Sequence, residues 1–288
     1  MSLRRAMVIR QIGVIGAGQM GNGIAQVAAC AGFKITLVDI NQDFLDKARD
    51  SIQKSLEKLV SKERLTESES NDALSRINFD ISMEEVSDAD LVIEAVPEIF
   101  ELKHSIFSKL DEICKPSAIL ASNTSSISID KIANCTERPE LVIGMHFMNP
   151  VPLMKLVEII NGSNTLQEVN NIVVNTAEKM GKIALSCNDS PGFVSNRILC
   201  PMLNEAILTL QEGVAEPEAI DGIMKLGMNH PIGPLALADL IGLDTLLHIL
   251  GVLHDGFGKD KYKPANLLVE MVNNGYLGRK TGKGFYNY

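Results

Sequence analysis

Residues Gln11–Asp39 read QIGVIGAGQMGNGIAQVAACAGFKITLVD, and the fold turns on how that stretch is parsed. Ile12–Ile15 is a short apolar run that ends in Gly16-Ala17-Gly18-Gln19-Met20-Gly21. A helix-like segment follows, and a second apolar run, Ile35–Val38, closes on Asp39. Strand, glycine turn, helix, strand and acid in that order predict a βαβ unit built to hold a dinucleotide. Gly16 permits the tight turn, Gly18 lets backbone N–H groups approach a pyrophosphate, and Gly21 lets the helix lie close to the strand. The helix N-terminus supplies partial positive charge to the phosphates. Asp39 falls where a carboxylate accepts both ribose hydroxyls and repels a 2′-phosphate, so NAD is expected rather than NADP. The competing reading is a packed βαβ turn with no ligand. The flanking strands and the spacing of the acid favour the dinucleotide.

Outward from that unit, 288 residues suffice for one large or two modest domains, and an apolar fraction of 45% is ordinary for a globular chain. A net charge of −9 argues against nucleic acid or an anionic membrane as the main partner, without excluding a local basic patch. No apolar run approaches the ~18 residues of a transmembrane helix. MSLRRAMVIR lacks the apolar core of a secretion signal and reads as a short tail. Cys30, Cys114, Cys135, Cys187 and Cys200 are odd in number and scattered, as expected of reduced core thiols in a cytoplasmic protein. No His/Cys cluster has metal-ligand spacing, so no metal is expected.

Asn41 is placed to cap a long helix through about Lys62, with apolar positions at Phe44, Leu45, Ala48, Ile52, Leu56 and Leu59. Its other face carries Lys47, Arg49, Lys54, Lys58 and Lys62, in the plainest view a solvated basic face. Thr66 and Glu69 form a capping box for a second helix through Leu74. Short strands are predicted at Ile77–Phe79, Leu91–Ala95, Ile119–Ala121, Leu141–His146, Met154–Ile160 and Ile183–Leu185, with helices at about Phe100–Cys114 and Leu166–Met180. Glu98 and the loop Ser122-Asn123-Thr124-Ser125-Ser126 then sit at carboxyl ends of strands, where ligands gather in open α/β sheets. The pattern changes at Asn188-Asp189-Ser190-Pro191-Gly192. Beyond it Phe193–Gln211, Pro217–Leu226, Pro234–Leu253 and Pro264–Asn274 read as helices, and the glycine-rich tail from Arg279 cannot be a regular helix. The expectation is an α/β Rossmann-type domain with a mostly parallel sheet over 1–187, and an all-α domain over 188–288.

An enzyme that oxidises an alcohol with NAD must hold the carbinol hydrogen against the nicotinamide and remove the hydroxyl proton. Histidine suits the second task because its pKa lies near working pH. Among His104, His146, His230, His248 and His254, only His146 ends a buried strand opposite a returning strand that carries an acid, Glu158. A short turn there places the two side by side, and a carboxylate on one imidazole nitrogen fixes the tautomer. A structural strand-end histidine with a surface glutamate is the competing view.

The phrases VIGAGQMGNGIAQ, IEAVPE, ASNTSS, GMHFMNPVPLMKLVEII, DSPGFVSNRIL, GLDT and RKTGKGFYNY follow one another in order. Together they resemble the L-3-hydroxyacyl-CoA dehydrogenase family, above all its short bacterial 3-hydroxybutyryl-CoA members, over essentially the whole chain after residue 10. The resemblance implies that His146 is the base in oxidation and the acid in reduction, that Glu158 orients it, and that Ser125 and Asn196 hydrogen-bond the substrate oxygen. It implies a cofactor site made of Gly16, Ala17, Gly18, Gln19, Met20, Gly21 and Asp39, with Glu98, Lys103, Ser125, Asn149 and Lys280 toward the nicotinamide. It assigns Ser55, Lys58 and Lys62, together with Ser125, to the CoA thioester. That spacing of i, i+3 and i+7 puts the three on one side of a helix, a sensible receiver for a polyanion.

A substrate in the cleft between the domains, short acyl chains, a stand-alone enzyme and a homodimer formed through the helical domain complete that expectation. Met202, Leu203, Ile207, Leu208 and Leu210 are apolar in excess of one thin helical layer, or are simply core. A dehydrogenase of a free hydroxy acid would share the glycine turn without needing the lysine face. A non-catalytic NAD-binding protein would have no chemical need for Ser125, His146, Glu158 and Asn196 together.

Overall fold

A computed structural model describes residues 8–288; the tail before Val8 falls outside the described residues. The chain divides into two compact units, one running to Asp189 and the other from Ser190 to Tyr288.

The first unit is built on eight strands, β1 Gln11–Ile15, β2 Lys34–Val38, β3 Ile77–Asp80, β4 Leu91–Glu94, β5 Ile119–Ser122, β6 Val142–Phe147, β7 Leu156–Asn161 and β8 Ile183–Asn188. They form one sheet in the order β3-β2-β1-β4-β5-β6-β7-β8. Every neighbouring pair is parallel except β6 with β7. The order reverses beside β1, which opens a crevice at the carboxyl ends of β1 and β4. β4, β5 and β6 are buried throughout and β1 is buried after Gln11, as a parallel sheet with covered faces requires.

Six helices lie in this unit: α1 Gln19–Cys30, α2 Gln42–Ser61, α3 Glu67–Ser75, α4 Phe100–Ile113, the short α5 Ile129–Ala133 and α6 Gln167–Lys179. The caps are those the sequence announces. Asn41 accepts from the Asp43 N–H at 2.8 Å, and Thr66 and Glu69 close a full capping box. Leu45, Ala48, Ile52 and Leu56 of α2 join the core with Ile24 and Ala28 of α1 and Val14 of β1. Phe44 does not: it is exposed, under the Lys47 ammonium, because it precedes the buried stripe at the helix start. The expectation of core thiols holds for Cys114 and Cys200 but fails for Cys30, which is exposed at the end of α1. Burial pushes the Cys114 thiol up to about 11 and the Cys200 thiol up to about 12.

The second unit has its own core, centred on Leu203, Ile207, Leu235, Leu246, Leu250 and Leu268. Its helices are α7 Ser195–Gln211, α8 Pro217–Gly227, α9 Pro234–Ile241, α10 Leu243–Phe257 and α11 Asn266–Asn273. The single helix expected over Pro234–Leu253 is two helices bent by 96°. The break is Gly242, whose φ of 103° is closed to residues with a Cβ. No single helix among the described residues is long and apolar enough to cross a membrane.

Candidate active site

The glycine turn explains its own composition. A Cβ on Gly16, at φ 102°, would stand 2.7 Å from the Ala95 carbonyl oxygen. A Cβ on Gly21 would stand 1.7 Å from the Gly16 oxygen, so α1 packs against the turn only without a side chain. Gly18 is different: nothing lies within 4 Å of where its Cβ would be, and as the N-cap of α1 it leaves that helix end without a side-chain cap. Asp39 is drawn back onto this turn, its Oδ2 accepting from the Ala17 N–H at 2.7 Å. An open, uncapped helix N-terminus with a carboxylate at its edge fits a dinucleotide: pyrophosphate before Gly18, adenosine ribose at Asp39.

Beyond β4 a polar cluster lies beneath the serine loop. Lys103 on α4 is 1% exposed, yet it carries an ammonium. That ammonium pairs with Glu94 Oε1 at 2.6 Å and Glu98 Oε2 at 3.3 Å. Glu94 also accepts from Ser122 Oγ at 2.6 Å and from the Val96 N–H at 2.7 Å. Glu98 Oε1 gathers the loop: it accepts from Thr124 Oγ1 at 2.5 Å, from the Ser125 and Ser126 N–H groups at 2.9 Å each, and from Ser126 Oγ at 2.9 Å. The Ser125 hydroxyl stands 3.3 Å from the same oxygen. Burial alone would raise the Glu98 carboxyl, but the Lys103 ammonium and the hydrogen bonds from Thr124, Ser126 and Ser125 outweigh it and hold the group below its ordinary value. Asn123 Oδ1 accepts from the Phe147 N–H at 2.9 Å and ties the loop to the end of β6.

The antiparallel pairing of β6 and β7 puts His146 directly opposite Glu158. His146 Nδ1 lies 2.8 Å from Glu158 Oε2, and the residues are 8% and 5% exposed. The side-by-side arrangement expected from the short turn is therefore present. That turn also carries Asn149, and Asn149–Leu153 forms one wall of a groove of about 290 Å³. The basic side of α2, with Ser55, Lys58 and Lys62, lines the same groove, and Gln19 of the glycine turn contributes to its lining. The structure thus gathers the three residues expected for CoA with two expected for the cofactor. Arg64 joins the same groove: Glu63, at φ 55°, reverses the chain after α2 and returns Arg64 to the helix. A lone arginine after a helix gave no warning of that in the sequence.

In the helical unit Asn196 is half-buried in the first turn of α7. Lys280 is exposed on a single 3₁₀ turn and pairs with Asp244 of α10. Two buried acids that the sequence reading missed hold the tail that carries it. Asp239 accepts from the Phe285 and Tyr286 N–H groups and from the Tyr288 hydroxyl, each at 3.0 Å. Asp221 accepts from the Tyr286 hydroxyl at 2.9 Å. Gly284 is required there, because a Cβ would stand 1.9 Å from the Asp239 carboxylate.

Residues 11–190 match the family model described as 3-hydroxyacyl-CoA dehydrogenase, NAD binding domain, and residues 192–288 match 3-hydroxyacyl-CoA dehydrogenase, C-terminal domain. The chain is 60% identical over 278 residues, 96% of its length and 100% of the relative's, to a probable 3-hydroxybutyryl-CoA dehydrogenase of Deinococcus radiodurans. It is 53% identical over 283 residues, 98% of its length and 97% of the relative's, to a 3-hydroxybutyryl-CoA dehydrogenase of Bradyrhizobium diazoefficiens. The crystal structure of (S)-3-hydroxybutyryl-CoA dehydrogenase from Ralstonia eutropha superposes with a TM-score of 0.96 at 51% identity, covering 97% of this chain and 99% of that one.

Proposed function

The chain belongs to the 3-hydroxyacyl-CoA dehydrogenase family of NAD-dependent oxidoreductases, and from that premise we propose that it interconverts short-chain (S)-3-hydroxyacyl-CoA, 3-hydroxybutanoyl-CoA above all, and the 3-oxoacyl-CoA, with His146 as the group that exchanges the hydroxyl proton. The observation that carries the reading is the buried His146–Glu158 pair at 2.8 Å. In the oxidative direction Nε2 of His146 takes the proton from the C3 hydroxyl. Glu158, against Nδ1, keeps the ring in the tautomer that can accept at Nε2 and stabilises the cation that forms. In the reductive direction the same nitrogen returns the proton to the carbonyl oxygen. When bound, the nicotinamide supplies the acceptor for the hydride leaving C3.

Ser125 and Asn196 are assigned to the substrate oxygen. The turn Gly16–Gly21 and Asp39 would hold the adenosine half of NAD, with Glu98, Lys103, Asn149 and Lys280 serving the other half. Lys103 acts there through Glu98, since its own ammonium is spent on two carboxylates. Ser55, Lys58 and Lys62 would receive the CoA phosphates, and the groove they share with Asn149–Leu153 supports a thioester rather than a free acid. A homodimer through the helical unit and action in the cytoplasm belong to the same proposal; light scattering that reports a monomer at micromolar concentration would remove the dimer from it.

The test follows NADH absorbance with acetoacetyl-CoA and, separately, acetoacetate. NADH loss with the thioester alone is expected. Turnover of the free acid alone would replace the reading with a free hydroxy-acid dehydrogenase, and turnover of neither would leave a non-catalytic NAD-binding protein.

A further inference from the structure

Lys182 is a buried cation that pairs with no carboxylate among the described residues. It is 8% exposed, and its ammonium donates to two main-chain carbonyls, that of Val151 and that of Met154, the latter at 2.8 Å. Burial pulls its pKa below the ordinary lysine value, and no charged neighbour offsets that pull. Such an arrangement is costly, because a buried ammonium normally takes an anionic partner. The local backbone delivers it on purpose. Gly181 turns at φ 75° after α6, and the Lys182 N–H returns to the Ala177 oxygen just before β8 begins.

Both carbonyls belong to the turn between β6 and β7, the strands of His146 and Glu158. The turn is held from the other side as well. Val151 sits against Gly23 of α1, where a Cβ on Gly23 would stand 2.8 Å from the Val151 Cβ. Asn149–Leu153 at the same time lines the groove that Lys58 and Lys62 line.

We propose that Lys182 is a positioning residue for the thioester: by bonding the Val151 and Met154 carbonyls it fixes the Val151–Leu153 part of the groove lining relative to α2, where the CoA part of the substrate would be gripped. The proposal rests on the CoA-thioester reading of that groove. The bonds of Lys182 go to the turn between β6 and β7, so its effect falls on substrate capture rather than on the proton step.

The experiment compares wild type with Lys182→Met, Lys182→Arg and Gly23→Ala, reading KM for acetoacetyl-CoA, kcat, NADH affinity by fluorescence titration, and KM across alkaline pH. Lys182→Met leaves the Val151 and Met154 carbonyls without this donor. It should raise KM about tenfold, the size of one lost buried hydrogen bond, with kcat and NADH affinity within about threefold of wild type. Lys182→Arg keeps the charge and should restore most of the KM. The climb of KM at alkaline pH should be steeper in wild type than in Lys182→Arg, since the groove lysines Lys58 and Lys62 are common to both. Gly23→Ala pushes the same turn from the α1 side and should give the same split, which keeps the idea testable if Lys182→Met does not fold.

A fall in kcat with unchanged KM in Lys182→Met, or in Gly23→Ala if only that variant folds, would mean a merely structural role and overturn the proposal. If wild type turns over acetoacetyl-pantetheine as well as acetoacetyl-CoA, the CoA reading of the groove fails instead. If wild type prefers CoA and the variants keep its KM, only the role of Lys182 fails.

Discussion

His146 is the residue on which the proposed chemistry rests. Its neighbour Glu158 is fixed by strand register, one residue directly across an antiparallel pair, so neither side chain must search for the other. His146→Gln preserves shape and a hydrogen bond to Glu158 but removes the proton acceptor. General acid–base help of this kind is worth about 10²–10⁴-fold, and turnover should fall by that order while NADH still binds in a fluorescence titration. Turnover near the wild-type rate would remove His146 from the mechanism. Glu98 has a different signature. Its carboxyl is held below the ordinary 4.5 by Lys103 and the serine loop against the opposing effect of burial. A carboxylate depressed in the folded state adds stability above its unfolded pKa and loses it as pH falls through the folded one. Wild type should therefore lose denaturant resistance below about pH 4.5, and Glu98→Gln should flatten that acid limb of a urea-midpoint profile. An unchanged limb would show that the ion pair with Lys103 contributes nothing.

The elements teach where sequence reading succeeds. The strands of the first unit were legible because a parallel sheet buried on both faces needs continuous apolar runs. The pair His146–Glu158 was legible because an antiparallel return across a short turn fixes register. Helix α5 and the break at Gly242 were not: α5 is five residues long, and the Leu–Ile–Gly–Leu stretch keeps a helical apolar rhythm straight through the bend. Only the φ of 103° shows that the glycine ends one helix and begins another. Gly242→Ala should cost about 1–3 kcal/mol in urea unfolding, since it forces a Cβ into a glycine-only region. Gly222→Ala, in open space on α8, should instead stabilise by about 0.5–1 kcal/mol; equal effects at the two positions would refute the backbone argument. Glu98, Lys103 and Ser125 were expected together at the cofactor, but the part that Glu94 and Ser122 play in their cluster was hidden for another reason. Glu94 and Ser122 end apolar strands and Lys103 sits within a helix, so nothing local announces that they meet. Lys103→Met leaves Glu94 buried without its cation, and such losses run to about 3–5 kcal/mol. A thermal or urea midpoint equal to wild type would mean that Glu94 is satisfied by Ser122 and Val96 alone.

At the scale of the molecule, a chain of net charge −9 is proposed to capture a polyanionic thioester. Long-range attraction cannot come from the overall charge, whose sign is wrong. It must be local, and the groove supplies it: Lys58, Lys62 and Arg64 all line it, and contacts made there fall inside a screening length of about 8–10 Å at physiological salt. The lysines are exposed and close no salt bridge within 4.0 Å among the described residues, which leaves their charge available to what enters the groove. Two consequences separate this from simple shape recognition. KM for acetoacetyl-CoA should rise with ionic strength, because added salt screens phosphate–lysine attraction. Lys58→Ala with Lys62→Ala should start from a higher KM at low salt and show a shallower rise, so that the two curves converge at high salt. NADH affinity should move little, because the proposed cofactor site at the glycine turn uses backbone N–H groups and a helix end that these substitutions leave intact. Parallel curves, with the double variant offset by a constant factor at every salt concentration, would show that the lysines act through packing and that the electrostatic account of substrate capture is wrong.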